Sequence, residues 1–208
     1  MYVAIEGIKG SGKSTLIKNL IMQDSQRKQA INFFPITASM HKNHPMEILH
    51  NVNPSLKNND AFLESLFLQR ARWHHKNIED HKSLILGDRC IATACVTRWM
   101  KWNDPYYTIK KIKIDYDNIQ SPDVIVWLNT TVNQALKNLQ KRTDKSLGKA
   151  DEKSEILVKA AEAYEELFLN HIYLKQIKPV QIIKIQNHLN ITEIAKEIQS
   201  IVKFYRAL

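Results

Sequence analysis

Five short apolar runs punctuate the chain: Tyr2–Glu6 and residues 30–34, 83–86, 124–128 and 180–185. Each is four to six residues long and apolar at successive positions, the pattern of parallel strands covered on both faces. Between them the apolar positions take a helical period. Leu16, Ile17, Leu20 and Ile21 form one stripe, Phe62, Leu63, Leu66, Phe67 and Trp73 a second, and Val132, Ala135, Leu136 and Leu139 a third. Thr131 with Gln134, and Asn190 with Glu193, have the spacing of capping boxes; the latter precedes the stripe Ile191, Ile194, Ala195 and Ile198. Strands alternating with helices predict βαβ units with right-handed crossovers, and a parallel sheet flanked by helices. Residues 41–59, rich in His, Asn and Pro, and residues 102–121, mixing aromatics with lysines, fit neither period and read as surface excursions. No repeat or low-complexity tract interrupts a single domain expected over residues 1–208.

Composition adds one local signal. Of five glycines, Gly7, Gly10 and Gly12 fall in the first twelve residues, where the backbone must adopt unusual torsions or admit a ligand. The formal charge of +9 fits a phosphorylated small molecule, a nucleic acid or a membrane surface. The lysines are scattered and form no block, so nucleic acid is not the expected partner. Cys90 and Cys95 have neither disulfide-framework nor zinc-ligand spacing. Residues 1–5 lack signal-peptide features, and no window of about 18 apolar residues occurs. A cytoplasmic protein without a membrane partner is expected.

The glycines belong to Gly7-Ile8-Lys9-Gly10-Ser11-Gly12-Lys13-Ser14, followed by Thr15, between the first strand and the first helical stripe. A glycine, four residues and Gly-Lys-Ser in that setting is a phosphate-cradling loop. Its backbone amides curl round the phosphates, Lys13 reaches the β and γ oxygens, and the Ser14 hydroxyl ligates Mg²⁺. ATP and Mg²⁺ are the expected cofactors. Asp88 ends an apolar run and would stand at the carboxyl end of a strand beside this loop, able to hold the metal through its water shell. Arg89 follows, with a fork suited to a phosphoryl group.

With these motifs the chain resembles the thymidylate kinases, P-loop kinases of nucleoside monophosphates. The resemblance rests on Ile5-Glu6-Gly7 leading into Gly-Lys-Ser-Thr, on Phe34-Pro35, and on Leu66-Phe67 with Arg70 or Arg72. It continues through Asp88-Arg89-Cys90 with Thr93, Pro122-Asp123 before a strand, and a helix, basic segment and Ala-x-x-Tyr over residues 135–164. It implies a three-layer α/β/α P-loop kinase fold with a five-stranded parallel sheet and a mobile lid near residues 141–153. It also implies ATP-dependent phosphorylation of dTMP to dTDP, and a homodimer. Lys13, Asp88, Arg89 and the lid residue Arg142 are the implied catalytic groups, and Ser14 and Asp88 the metal ligands. Phe67, Arg70, Arg72, Arg89, Thr93 and Arg98 are the implied acceptor-binding residues. Core packing is the plainer reading of Phe67. Arg70 falls within the apolar arc of its helix, and needs a buried partner or a place in the pocket. Glu6 could assist the metal, orient the loop or serve structure alone.

The departures lie on the acceptor side. Lys9 stands where these kinases carry Asp, Phe33 where they carry the arginine that holds the acceptor phosphate, and Cys90 where they carry Tyr. Two alternatives follow. One is a deoxynucleoside kinase, favoured by the loss at Phe33, although Phe34-Pro35-Ile36 lacks the carboxylate such enzymes place after the second strand. The other is a regulatory ATP-binding protein without transfer activity.

Overall fold

The computed structural model describes residues 1–25, 31–76, 84–102, 105–141, 153–170, 180–186 and 190–206. The strands are β1 (Tyr2–Glu6), β2 (Ile31–Phe34), β3 (Leu84–Asp88), β4 (Val124–Asn129) and β5 (Gln181–Gln186). They form one parallel sheet in the order β2-β3-β1-β4-β5. Its helices are α1 (Lys13–Ser25), α2 (Pro45–Val52), α3 (Asp60–Lys76), α4 (Ile91–Trp102), α5 (Pro105–Asp115), α6 (Val132–Gln140), α7 (Ser154–Leu169) and α8 (Ile191–Arg206).

The contiguous apolar runs are explained by helices on both faces of the sheet. Val3, Ile5, Leu86, Val126 and Leu128 pack with Leu16, Ile17 and Leu20 of α1 and Ile194, Ala195 and Ile198 of α8. The intervening Tyr2, Ala4, Ile85, Ile125 and Trp127 turn to the other face, against α4, α5 and α7. Side chains alternate across a strand, so one five-residue run serves two cores. The expected α/β/α layering with five parallel strands is therefore the observed one.

Local signals fixed the helix starts. Asn190 and Glu193 form a reciprocal box, each side chain accepting the other's amide at 3.0 and 2.9 Å. Thr131 Oγ1 accepts the amide of Gln134 at 3.3 Å, but Gln134 turns its side chain to Asn138 instead of completing the box.

Two expectations are corrected. Residues 41–59 are not a plain excursion: they hold α2 and a 3₁₀ turn, Pro54–Asn58. His44 caps α2, accepting the Met46 amide at 3.3 Å, and Pro45 opens it. The helix escaped the periodicity because its apolar Ile48, Leu49 and Val52 are exposed while its buried residue is Glu47. Residues 102–121 contain α5, whose stripe Ile109, Ile112 and Tyr116 continues to Ile119 and is buried. Lysines interleaved at 110, 111 and 113 disguised it. Asp88 is the last residue of β3, at the carboxyl end of a strand as expected.

Candidate active site

Strand order reverses around β1, which lies between β3 and β4 although the chain enters β2 next. Such a switch point opens a crevice at the carboxyl ends of the strands. Residues 7–12 turn there from β1 into α1, with φ of 143° at Gly7, 84° at Gly10 and 92° at Gly12. A Cβ on Gly10 would lie 2.5 Å from the Ala135 carbonyl oxygen, so the loop touches the start of α6. Asn138 of α6 secures it, donating to the Gly10 carbonyl at 2.9 Å. Lys13 arches back across the loop. Its Nζ donates to the carbonyls of Gly7 and Ile8 at 2.8 and 2.7 Å and to Ser11 Oγ at 3.1 Å.

Ile5 stands in register with Asp88, which brings the end of β3 against the phosphate loop. Lys9, Gly10, Gly12, Lys13, Ser14, Thr15, Asp88 and Arg89 together line a cleft of about 170 Å³. Gly7 and Ser11 of the loop are buried. Burial raises the Asp88 pKa, against the opposing pull of Arg89 and Lys13. A desolvated carboxylate beside an exposed hydroxyl, Ser14, is a hard-oxygen donor set of the kind Mg²⁺ accepts. Among the described residues no cluster of three or more His, Cys, Asp or Glu could hold a metal. A cation here would therefore be shared with phosphate oxygens and water.

Arg89 is the sole non-glycine residue at positive φ among the described residues, at 71°. Its amide extends the ladder to the Ile5 carbonyl at 3.1 Å, and its Nη1 donates to Thr93 Oγ1 at 3.1 Å. Behind it lies Glu6, fully buried. Glu6 accepts from the Cys90 and Thr93 amides, at 2.7 and 3.2 Å, and from the hydroxyls of Thr93 and Tyr164, at 2.8 and 2.7 Å.

A second cavity, about 150 Å³, adjoins this point on the α3–α4 side. Phe67, Thr93 and Arg98 line it, as do Asp60, Glu64 and Tyr116. Arg98 pairs with Glu64 at 2.7 Å and approaches Asp115 at 3.9 Å, while its buried Nε has no hydrogen-bond partner. Lys111 also reaches Glu64, at 3.2 Å.

Of the six residues expected to bind the acceptor, Phe67, Thr93 and Arg98 thus meet in one cavity, and Arg89 lines the phosphate cleft next to it. Arg70 and Arg72 line neither. Arg70 is buried and grips Glu47 bidentately, with Nε–Oε1 and Nη2–Oε2 both 2.7 Å, and reaches the Thr37 carbonyl and Ser39 Oγ at 3.3 Å. Of the two places open to it, it took the buried partner. Arg72 faces the Asp115 carbonyl at 3.4 Å. Phe67 is half-buried on the cavity wall, not sealed in the core. Arg142 and nearly all of the expected lid lie outside the described residues.

Glu64, Asp60 and Tyr116 escaped the sequence reading because nothing local marks them. Asp60 and Glu64 do share a helix face, four residues apart on α3, which was the available signal. Both thiols are inert: burial lifts Cys90 well above the usual range and Cys95 to about 12.

Thymidylate kinase of Mycoplasmoides gallisepticum is 23% identical over 150 residues, covering 69% of this chain and 70% of that protein. A protein named probable thymidylate kinase from Methanococcus maripaludis is 29% identical over 170 residues, 80% of this chain and 76% of its own length. Among solved structures, deoxyadenosine kinase from M. mycoides with bound dATP superposes with a TM-score of 0.66 at 17% identity, over 98% of this chain and all of that one. Thymidylate kinase from Candida albicans gives 0.68 at 17% identity, over 99% of this chain and 92% of that one. These two likenesses speak to the fold. The family model for deoxynucleoside kinases matches residues 3–206, nearly the whole chain and every element that forms the site. The chain is a phosphotransferase belonging to the deoxynucleoside kinase family.

Proposed function

We propose that this kinase transfers the γ-phosphoryl group of ATP to the hydroxyl of a free deoxynucleoside. The observation that carries the reading is the charge of the acceptor cavity. Among the described residues its one basic lining residue, Arg98, pairs with Glu64 and approaches Asp115, Lys111 also reaches Glu64, and Asp60 adds a further carboxylate to the wall. Arg70, one of the residues expected to bind the acceptor, is committed to Glu47. A monophosphate dianion would meet an arginine already held by carboxylates, whereas a neutral nucleoside needs no cation there.

In this reading the phosphate loop and Lys13 hold the β and γ phosphates. Ser14 and Asp88 would hold Mg²⁺, which neutralises charge on the transferring group. Arg89 stands between cleft and cavity and meets the charge that develops during transfer. Phosphoryl transfer depends mainly on positioning and charge neutralisation, so the lack of a carboxylate at Phe34-Pro35-Ile36 is tolerable. The whole chain acts as one catalytic domain.

Phosphorylation of dTMP is the second reading, favoured by the thymidylate kinases among its relatives. A coupled assay with MgATP against deoxynucleosides and their monophosphates separates the two. The expected result is turnover of at least one deoxynucleoside, with kcat/KM for every monophosphate lower by about 100-fold or more. Turnover of dTMP with none of thymidine or the other nucleosides would reverse the choice.

A further inference from the structure

Glu6 is fully buried at the end of β1, directly before the phosphate loop. Its partners are the Cys90 amide at the N-cap of α4, the Thr93 amide in its first turn, which also lies 3.1 Å from the Cys90 carbonyl, and two hydroxyls. The first amides of a helix call for a side-chain acceptor. A helix usually finds one in a Ser, Thr, Asp or Asn at its N-cap, and Cys90 fills that place poorly, accepting the Ala92 amide at 3.5 Å. Glu6 does the capping from another element, and the positive end of the α4 dipole helps hold its charge.

We infer that Glu6, held by Tyr164, is a positioning residue that fixes Arg89 toward the phosphate cleft through Thr93. The proton count supplies the direction. A threonine hydroxyl has one proton, and Thr93 gives it to Glu6 Oε2 at 2.8 Å. Its lone pairs are then left to accept from Arg89 Nη1 at 3.1 Å, which is the polarity a guanidinium requires. Tyr164 in turn donates to Glu6 Oε2 at 2.7 Å. Burial and the Glu6 charge raise the tyrosine pKa well above its usual value, so the donor proton stays on the phenol. Tyr164 Oη also lies 3.1 Å from Thr93 Oγ1, so Tyr164, Glu6 and Thr93 form a closed triangle that ties α7 to the arginine beside the phosphates.

Arg89 needs such a tie. Its left-handed backbone is strained for a residue with a side chain, and only its surroundings keep it there. A cation displaced by a fraction of an ångström loses much of its effect on a transition state. The inference holds for whichever acceptor the enzyme takes.

The test is a double-mutant cycle between Tyr164→Phe and Arg89→Ala, read as kcat and KM with the acceptor that the wild type phosphorylates. Tyr164→Phe should lower kcat about tenfold with KM changed less than about twofold, and should have less than about twofold effect once Arg89 is alanine. Thr93→Val should behave alike, and Thr93→Ser, which keeps the hydroxyl, should restore kcat. Thermal unfolding of each variant reports on the fold. An equal kcat loss in both Arg89 backgrounds would mean a structural role alone and overturn the inference, as would Tyr164→Phe at wild-type kcat. Wild-type turnover of monophosphates alone would refute the proposed acceptor and leave this path to be judged by the same cycle.

Discussion

Asp88 carries two opposed demands on a single carboxylate. Burial raises its pKa, so the folded chain holds the proton more tightly than the unfolded chain does. Above that raised pKa the ionised carboxylate weighs against folding, and stability falls as pH rises through the interval between unfolded and folded values. Removing the charge should thus stabilise the protein while disabling it. Asp88→Asn is expected to raise Tm at pH 7, to lose that gain at acid pH where the wild-type carboxyl is protonated, and to lower kcat by about 100-fold or more. Calorimetric scans at two pH values and the kinase assay check both halves. In the wild type, the acid limb of kcat/KM should lie above the usual carboxylate range, since that profile reports the free enzyme. A Tm lowered at pH 7 by the substitution would refute the argument.

At the scale of elements, the phosphate loop is shaped both by its torsions and by the helix packed on it, and the glycines separate these effects. Gly10 has φ of 84° and no room for a Cβ, which would meet the Ala135 carbonyl at 2.5 Å. Gly12 has φ of 92°, yet a Cβ there would meet nothing within 4 Å. Gly12→Ala should therefore cost only the torsional term, about 1 kcal/mol. Gly10→Ala also pushes α6 from the loop and should cost about 3 kcal/mol or more. Urea denaturation would distinguish them, and equal losses would refute the packing argument. Another junction of elements is Arg70 with Glu47, which joins α3 to α2. The adjoining segment is pinned through the Met40 amide, 2.9 Å from Glu47 Oε1. Ile36 and Thr37, at the start of that segment, line the cavity beside the phosphate cleft, so the ion pair shapes the cavity without entering it.

For the whole molecule, the described charges give an ordered response to acid. Burial lowers the pKa of His74, whose ring lies 3.1 Å from the Ala38 carbonyl; the folded chain favours the neutral ring. Stability should be complete above the unfolded value of 6.5 and decline as pH falls from there toward the folded value. Glu47 adds a later loss. Its hydrogen bonds to Arg70 hold its pKa below 4.5, so its contribution is present above 4.5 and lost as pH falls through the folded value. Unfolding free energies from urea titrations across this range should thus show these two losses, offset in part by the gain from Asp88 as it protonates, and His74→Asn should remove the first loss alone. A first loss unchanged by that substitution would assign it elsewhere. Among the described residues no helix is long and apolar enough to cross a membrane.

The amino-acid sequence by itself determined the strands, most helices, the capping box at Asn190 and the phosphate loop. In each case the signal is local: a period along the chain, a cap three residues from its amide, or glycines where φ is positive. It also set Asp88 at a strand end, through the apolar run that precedes it. Only the tertiary structure decided what the remaining charges do. Cys90 offers no good cap, and nothing near it in the chain announces that Glu6, 84 residues away, supplies one. Helix periodicity left Arg70 between partner and pocket, and Glu47, 23 residues distant on a short helix with an exposed apolar face, resolved it. Arg98 likewise lies in the second cavity as half of a pair with Glu64 from α3, which changes the charge of the cavity wall. Periodicity tells which face of an element a residue occupies. A charge takes its role from whatever that face meets, and this is set by how distant elements pack.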